Sequence, residues 1–187
     1  MEIETQGLHI SSGKQGEGKT LFMVSLLKSD LETYPNRKVF SNIWLDVPHE
    51  KITFDREIDG ETHIDILEKI NSDPTYFNNS IMFIDEIHLY ADSYNFMGKN
   101  NKVLQKFISQ LRKRNILILA TTQYFSQVDI RIRAHTRYLF KMKKITPSKY
   151  KAEVHVPERH DSEYIKTINI ENMNKYFNCY NTNEVVE

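Results

Sequence analysis

The chain has 187 residues, of which 40% are hydrophobic and 27% charged, which excludes a disordered or fibrous chain and suits one domain with a sizeable core. A single cysteine, Cys179, excludes an intramolecular disulfide and fits an intracellular compartment. The longest apolar run, Ile116 to Ala120, is far too short to span a bilayer, and the first residues lack a signal-peptide pattern, so a soluble protein without a membrane span of its own is expected.

In chain order, Leu8-His9-Ile10-Ser11 alternates like a short strand and leads into Gly13-Lys14-Gln15-Gly16-Glu17-Gly18-Lys19-Thr20, a complete G-x-x-x-x-G-K-T phosphate loop. Leu21-Phe22-Met23-Val24-Ser25-Leu26-Leu27 then opens a helix that should run to about Thr33, before Pro35-Asn36. Strand, loop and helix in that order is the context this motif requires. The glycines let backbone N–H groups approach phosphate oxygens, and the helix start adds its unpaired N–H groups and dipole. Residues 13 to 21, ending at Leu21, are thus expected to bind ATP: Lys19 would reach the β and γ oxygens, and the Thr20 hydroxyl would ligate Mg²⁺.

Lys38 to Trp44 reads as a buried strand, residues 46 to 62 as a turn-rich connection, and Ile64 to Asn71 as a short helix stopped by Asp73-Pro74. Ser80-Ile81-Met82-Phe83-Ile84-Asp85-Glu86 is an apolar run of the kind found in core parallel strands, closing on two acids. Ligands of open α/β sheets bind at the carboxyl ends of strands. Asp85 is therefore expected to hold Mg²⁺, partly through water, and Glu86 to polarise the attacking water. His88 completes an acid-acid-x-His pattern like that of nucleic-acid helicases, but those enzymes need a second domain, so His88 is expected at a helix start or subunit contact.

Tyr90 to Asn101 reads as a mobile segment, and Val103-Leu104-x-x-Phe107-Ile108-x-x-Leu111 has helical spacing. Ile116 to Gln123 is another core strand, whose terminal Gln123 could sense the γ-phosphate. Tyr138 to Lys143 alternates as a strand that Ala152 to Val156 could join; Ile165 to Ile170 and a short helix near Asn172 to Phe177 follow, with a polar stretch over residues 180 to 184. Net charge is zero, yet from Lys99 to Lys151 there are fourteen Lys or Arg against one acid, Asp129. Such a basic segment fits a polyanion partner. Lys99, Lys102, Lys106, Lys113 and Arg114 are its DNA-binding candidates.

The acid pair directly after an apolar strand, with Arg112 eleven residues before Gln123 at the end of Ala-Thr-Thr-Gln, resembles the HerA/FtsK superfamily of DNA-pumping P-loop ATPases. Lys38 to Ile43, Val128 to Arg133 and Tyr180 to Glu184 bring the resemblance closest to viral members: genome-packaging ATPases of icosahedral viruses and zonula occludens toxin-like assembly ATPases of filamentous phages. Proteins of the latter kind carry a transmembrane helix and a periplasmic part that the sequence lacks, which tilts the expectation toward packaging.

The resemblance implies a three-layer α/β domain of the additional-strand, catalytic-glutamate type, with a mostly parallel sheet, a core over roughly residues 5–145 and a short β-rich extension over roughly 146–187. It implies a Mg²⁺-dependent ATPase acting as a homo-oligomeric ring, a hexamer by analogy with the related motors, that moves DNA through backbone contacts independent of sequence. Arg112 would be the finger entering the neighbouring subunit's site, with Arg131 and Arg133 as alternatives. Capsid or membrane-associated viral proteins are the implied docking partners, and the host-cell cytoplasm or the virion the implied location. Lys14 also matches the extra lysine of ParA/MinD partitioning ATPases, which leaves a nucleotide-sandwiched dimer as a rival; a nucleotide-gated scaffold with negligible hydrolysis is the non-enzymatic one.

Overall fold

A computed structural model describes residues 4–54, 64–91, 99–157 and 162–181. The segment read as mobile lies largely outside these residues, as do residues 55–62 of the turn-rich connection and the last part of the polar C-terminal stretch; the described part of that connection is not all turns but holds a strand, Glu50–Thr53. The chain forms β1 (Gly7–Ser12), α1 (Lys19–Thr33), β2 (Lys38–Ser41), β3 (Trp44–Leu45), β4 (Glu50–Thr53), β5 (Ile64–Asp65), α2 (Ile66–Ser72), β6 (Ser80–Ile84), α3 (Lys99–Ile108), β7 (Ile116–Thr122), α4 (Ile130–Arg133), β8 (Thr136–Thr146), β9 (Lys149–Pro157), β10 (Ser162–Glu171) and β11 (Tyr180–Asn181).

Among the described residues nine strands form one sheet in the order β10-β9-β8-β1-β7-β6-β2-β4-β5. From β8 to β5 every neighbouring pair is parallel, while β9 and β10 are added antiparallel. The short β3 and β11 pair separately and antiparallel. Runs such as Ile81-Met82-Phe83-Ile84 are apolar at every position because helices cover both faces of a parallel sheet. Alternate residues divide between two cores: Met82, Ile84, Ile118 and Leu139 pack with α2, α3 and α4, whereas Ile81, Phe83, Leu119 and Phe140 pack with α1 and Met173 of the C-terminal 3-10 turn. The result is the three-layer α/β sandwich expected.

Some boundaries differ from the sequence pattern. The stretch from Lys38 to Trp44 is divided between two strands, with a break at Asn42, whose side-chain amide turns to the Asp85 backbone. The helix placed at Ile64 starts at Ile66, where Asp65 caps it by accepting the Glu68 N–H at 3.0 Å. The final helix is a 3-10 turn, Met173–Cys179. Strand β8 runs five residues past Lys141, the partner of the last residue of β1, so its end and the start of β9 extend past β1 beside the phosphate loop.

Candidate nucleotide site

The phosphate loop leaves the carboxyl end of β1 and delivers Lys19 as the first residue of α1, with Gly18 as N-cap in the left-handed region at φ 82°. A Cβ on Gly18 would lie 2.6 Å from two ring carbons of Tyr150, so glycine is required by both backbone and packing. At Gly13 an added Cβ would meet the Met142 carbonyl oxygen at 3.0 Å and the Glu17 carboxylate at 2.7 Å. The loop is closed on itself: Lys14 N–H donates to Glu17 Oε2 at 2.7 Å, and Lys19 Nζ donates to the Lys14 carbonyl at 3.3 Å. Lys14, Gln15 and Gly16 face solvent, while Leu21 anchors the helix in the core. These N–H groups and the buried Lys19 converge where phosphate oxygens would sit.

Asp85 and Glu86 follow β6 at the same sheet edge. Thr20 Oγ1 donates to Asp85 Oδ1 at 3.0 Å, and Thr121 Oγ1 donates to the same oxygen at 2.7 Å. The side-chain amide of Asn42 grips the Asp85 backbone on both sides, accepting its N–H at 2.8 Å and donating to its carbonyl at 3.0 Å. Glu86 sits at φ 52°, a left-handed conformation that is costly for a side chain with a Cβ, and its N–H donates to Thr121 Oγ1 at 2.9 Å. Burial pushes the Glu86 carboxyl above its ordinary range and Asp85 adds to this, while Lys19, His88 and the Gln123 N–H oppose it. His88 Nδ1 lies 3.2 Å from Glu86 Oε2 and 3.2 Å from Thr122 Oγ1. His88 thus belongs to this site as a neighbour of Glu86, beyond the helix-start role expected of it.

One hydroxyl and one carboxylate 3.0 Å apart supply two hard oxygen donors. Among the described residues no group of three metal-binding side chains adds to them. That set fits Mg²⁺, which keeps several waters and takes further ligands from substrate phosphates, and does not fit a closed protein cage.

Gln123 is exposed just beyond β7, with its N–H directed to Glu86. Arg112 is not brought to this site: it lies in the 3-10 turn before β7, at the opposite sheet edge. Arg131 is held by Asp129, donating through Nη2 at 2.7 Å and Nε at 3.0 Å, and Arg133 lies over the Phe125 ring. Lys102 and Lys106 are exposed on α3, and Lys113 is exposed after it. Arg114 is occupied by Gln110 at 2.6 Å, and of Lys99 only the backbone is described. Sequence reasoning missed Asn42, Thr121 and Tyr150 as site residues. The signal was faint: an amide between two strands, and hydroxyls at the polar end of an apolar one.

The phosphate loop after β1, the acid pair after β6 and β7 inserted between those two strands define a P-loop NTPase of the additional-strand, catalytic-glutamate type. The chain belongs to the zonular occludens toxin (Zot) family, whose model matches residues 7–183. It is similar to the crystal structure of the N-terminal domain of zonular occludens toxin from Neisseria meningitidis, with a TM-score of 0.71 at 21% identity, covering 95% of this chain and 100% of that one. The genome packaging NTPase B204 of Sulfolobus turreted icosahedral virus 2, in complex with ATP-gammaS, has a TM-score of 0.58 at 7% identity, covering 88% and 98% of the two chains. Flagellar accessory protein FlaH from Methanocaldococcus jannaschii has a TM-score of 0.53 at 16% identity, covering 87% and 84%. Comparison with curated protein sequences gives no match. Among the described residues no helix is long and apolar enough to cross a membrane. Because the matched toxin structure is itself an N-terminal domain, that observation does not separate the two viral branches.

Proposed function

We propose that the chain is a Mg²⁺-dependent ATPase that works as a homo-oligomeric ring, hexameric by analogy with related motors, and drives DNA movement during virus assembly. The observation that carries this is the convergence of Thr20, Asp85, Thr121 and Glu86 on one edge beside a complete phosphate loop. Lys19 and the loop N–H groups would bind the phosphates, and Thr20 with Asp85 would hold Mg²⁺, which supplies charge neutralisation on the phosphate oxygens. Glu86, half-buried and raised in pKa, would orient the attacking water and accept its proton, while the Gln123 N–H and His88 hold the carboxylate.

Family membership favours the filamentous-phage type of assembly ATPase, acting from the host-cell cytoplasm against membrane-associated viral proteins. Packaging into a capsid is the second reading, favoured by the likeness to B204. The test is ATP turnover with and without DNA, using wild type, Lys19→Ala and Glu86→Gln. DNA should stimulate wild type; Lys19→Ala should lose nucleotide binding, and Glu86→Gln should bind without turning over. Wild-type turnover by Glu86→Gln would refute the catalytic assignment, and a hydrolysis rate indifferent to DNA would refute the motor.

A further inference from the structure

The projecting hairpin made by the end of β8 and the start of β9 has two chemically different faces. On the face shared with α1, Met142 and Tyr150 are buried; the Tyr150 ring lies against Gly18 and the Met142 carbonyl against Gly13. Any change in the phosphate loop therefore meets the hairpin directly. The other face follows from strand alternation: Leu139 packs with the α2–α4 core, so Lys141 and Lys143 point to that side. Register places Glu153 opposite Lys141 and Lys151 opposite Lys143, with Thr167 and Asn169 next on β10. Between Lys141 and Glu153 the sequence holds five lysines against that one glutamate.

Lys149 is taken by Glu171 at 2.9 Å and Lys151 by Glu153 at 2.8 Å. The side chains of Lys141 and Lys143 are exposed and form no hydrogen bond or ion pair with any described residue, although Lys141 lies within electrostatic reach of Glu153. Two residues of strand advance about 6.8 Å, a separation that lets the two ammonium groups contact different phosphates of one nucleic-acid backbone, whose charges rise about 3.4 Å along the duplex axis per strand. A lipid surface would need an apolar face as well, and at the tip Ile145 and Pro147 are the exposed apolar residues, too few to make one.

We propose that this hairpin is a nucleic-acid grip: Lys141 and Lys143 hold the phosphate backbone, and Tyr150 on Gly18 ties that grip to the nucleotide. The proposal rests on the reading that DNA is the partner and adds where it is held and how the hold is switched.

The experiment measures binding of a fluorescent DNA oligonucleotide against salt, with and without saturating non-hydrolysable ATP analogue. Variants are Lys141→Gln/Lys143→Gln, Lys102→Gln/Lys106→Gln, Tyr150→Leu and Tyr150→Phe. The hairpin pair should reduce the magnitude of the log–log salt slope by about 1.4 to 1.8, as two lost phosphate contacts require, while DNA-free hydrolysis stays at the wild-type rate. The analogue should change DNA affinity in wild type and Tyr150→Phe but not in Tyr150→Leu. A wild-type slope in the hairpin pair overturns the grip, whatever the α3 pair does. An unchanged response to analogue in Tyr150→Leu overturns the switch. Wild type that binds anionic vesicles and not DNA overturns the proposal and, separately, the reading of DNA as partner.

Discussion

The hydroxyl of Thr121 joins the two acids of the site: it donates to Asp85 Oδ1 at 2.7 Å and accepts the Glu86 N–H at 2.9 Å. Because Thr121 lies on β7 and the acids follow β6, one side chain fixes the Asp85 carboxylate that faces Thr20 and the backbone of Glu86 together. Thr121→Val keeps the shape and removes both bonds, leaving a left-handed Glu86 without its partner. Steady-state kinetics should show a loss of about 10- to 100-fold in activity, the usual cost of removing a group that orients a metal ligand. Thr121→Ser should retain most of the activity.

Gly18→Ala would force a side chain into φ 82° and within 2.6 Å of the Tyr150 ring. The left-handed backbone alone costs about 1–2 kcal/mol, so relieving the clash should not restore the loop. Titration with a fluorescent nucleotide should find weakened binding both in Gly18→Ala and in Gly18→Ala/Tyr150→Ala. Full affinity in the double variant would mean that the ring contact, not the backbone, sets the requirement.

The phosphate loop and acid pair were legible because their chemistry sits on contiguous residues, and β6 and β7 because both faces of a parallel strand are apolar. Asn42 and Thr121 were not, since only sheet order brings them to Asp85. The end of β8 escaped because Lys144-Ile145-Thr146 runs past the end of β1 and is exposed throughout, so no core imposes alternation there. Arg131 looked like a free cation in a basic segment, yet it is paired with Asp129, the one acid there.

His9 makes stability depend on pH. Its ring is wholly buried beside Tyr138 and Phe140, with Nε2 2.7 Å from the Glu4 carbonyl, and burial pushes its pKa from 6.5 down to about 4. Above the unfolded value both states are neutral at this residue and its contribution is intact. As pH falls toward 4 the unfolded chain takes up the proton first, so stability drops, by roughly 3 kcal/mol over the window. Urea unfolding of His9→Asn should lack this component; a pH profile identical to wild type would remove His9 as its source.

Arg112 is exposed in the turn that precedes β7, while the nucleotide edge lies at the far end of that strand. Seven residues of strand span about 20 Å, so Arg112 cannot reach its own subunit's phosphates, and a catalytic role must be played on a neighbour. Arg131 is held by Asp129, and Arg133 is stacked on Phe125, which leaves Arg112 the freest of the three. A finger supplied in trans stabilises charge that develops only in the transition state. Arg112→Ala should therefore lower kcat by about 10³-fold or more while ATP affinity stays within a few-fold of wild type. Mixing Arg112→Ala with Glu86→Gln subunits should restore part of the activity, because some interfaces then pair an intact Glu86 with an intact Arg112. Wild-type turnover by isolated Arg112→Ala protein would transfer the role to Arg133 or Arg131.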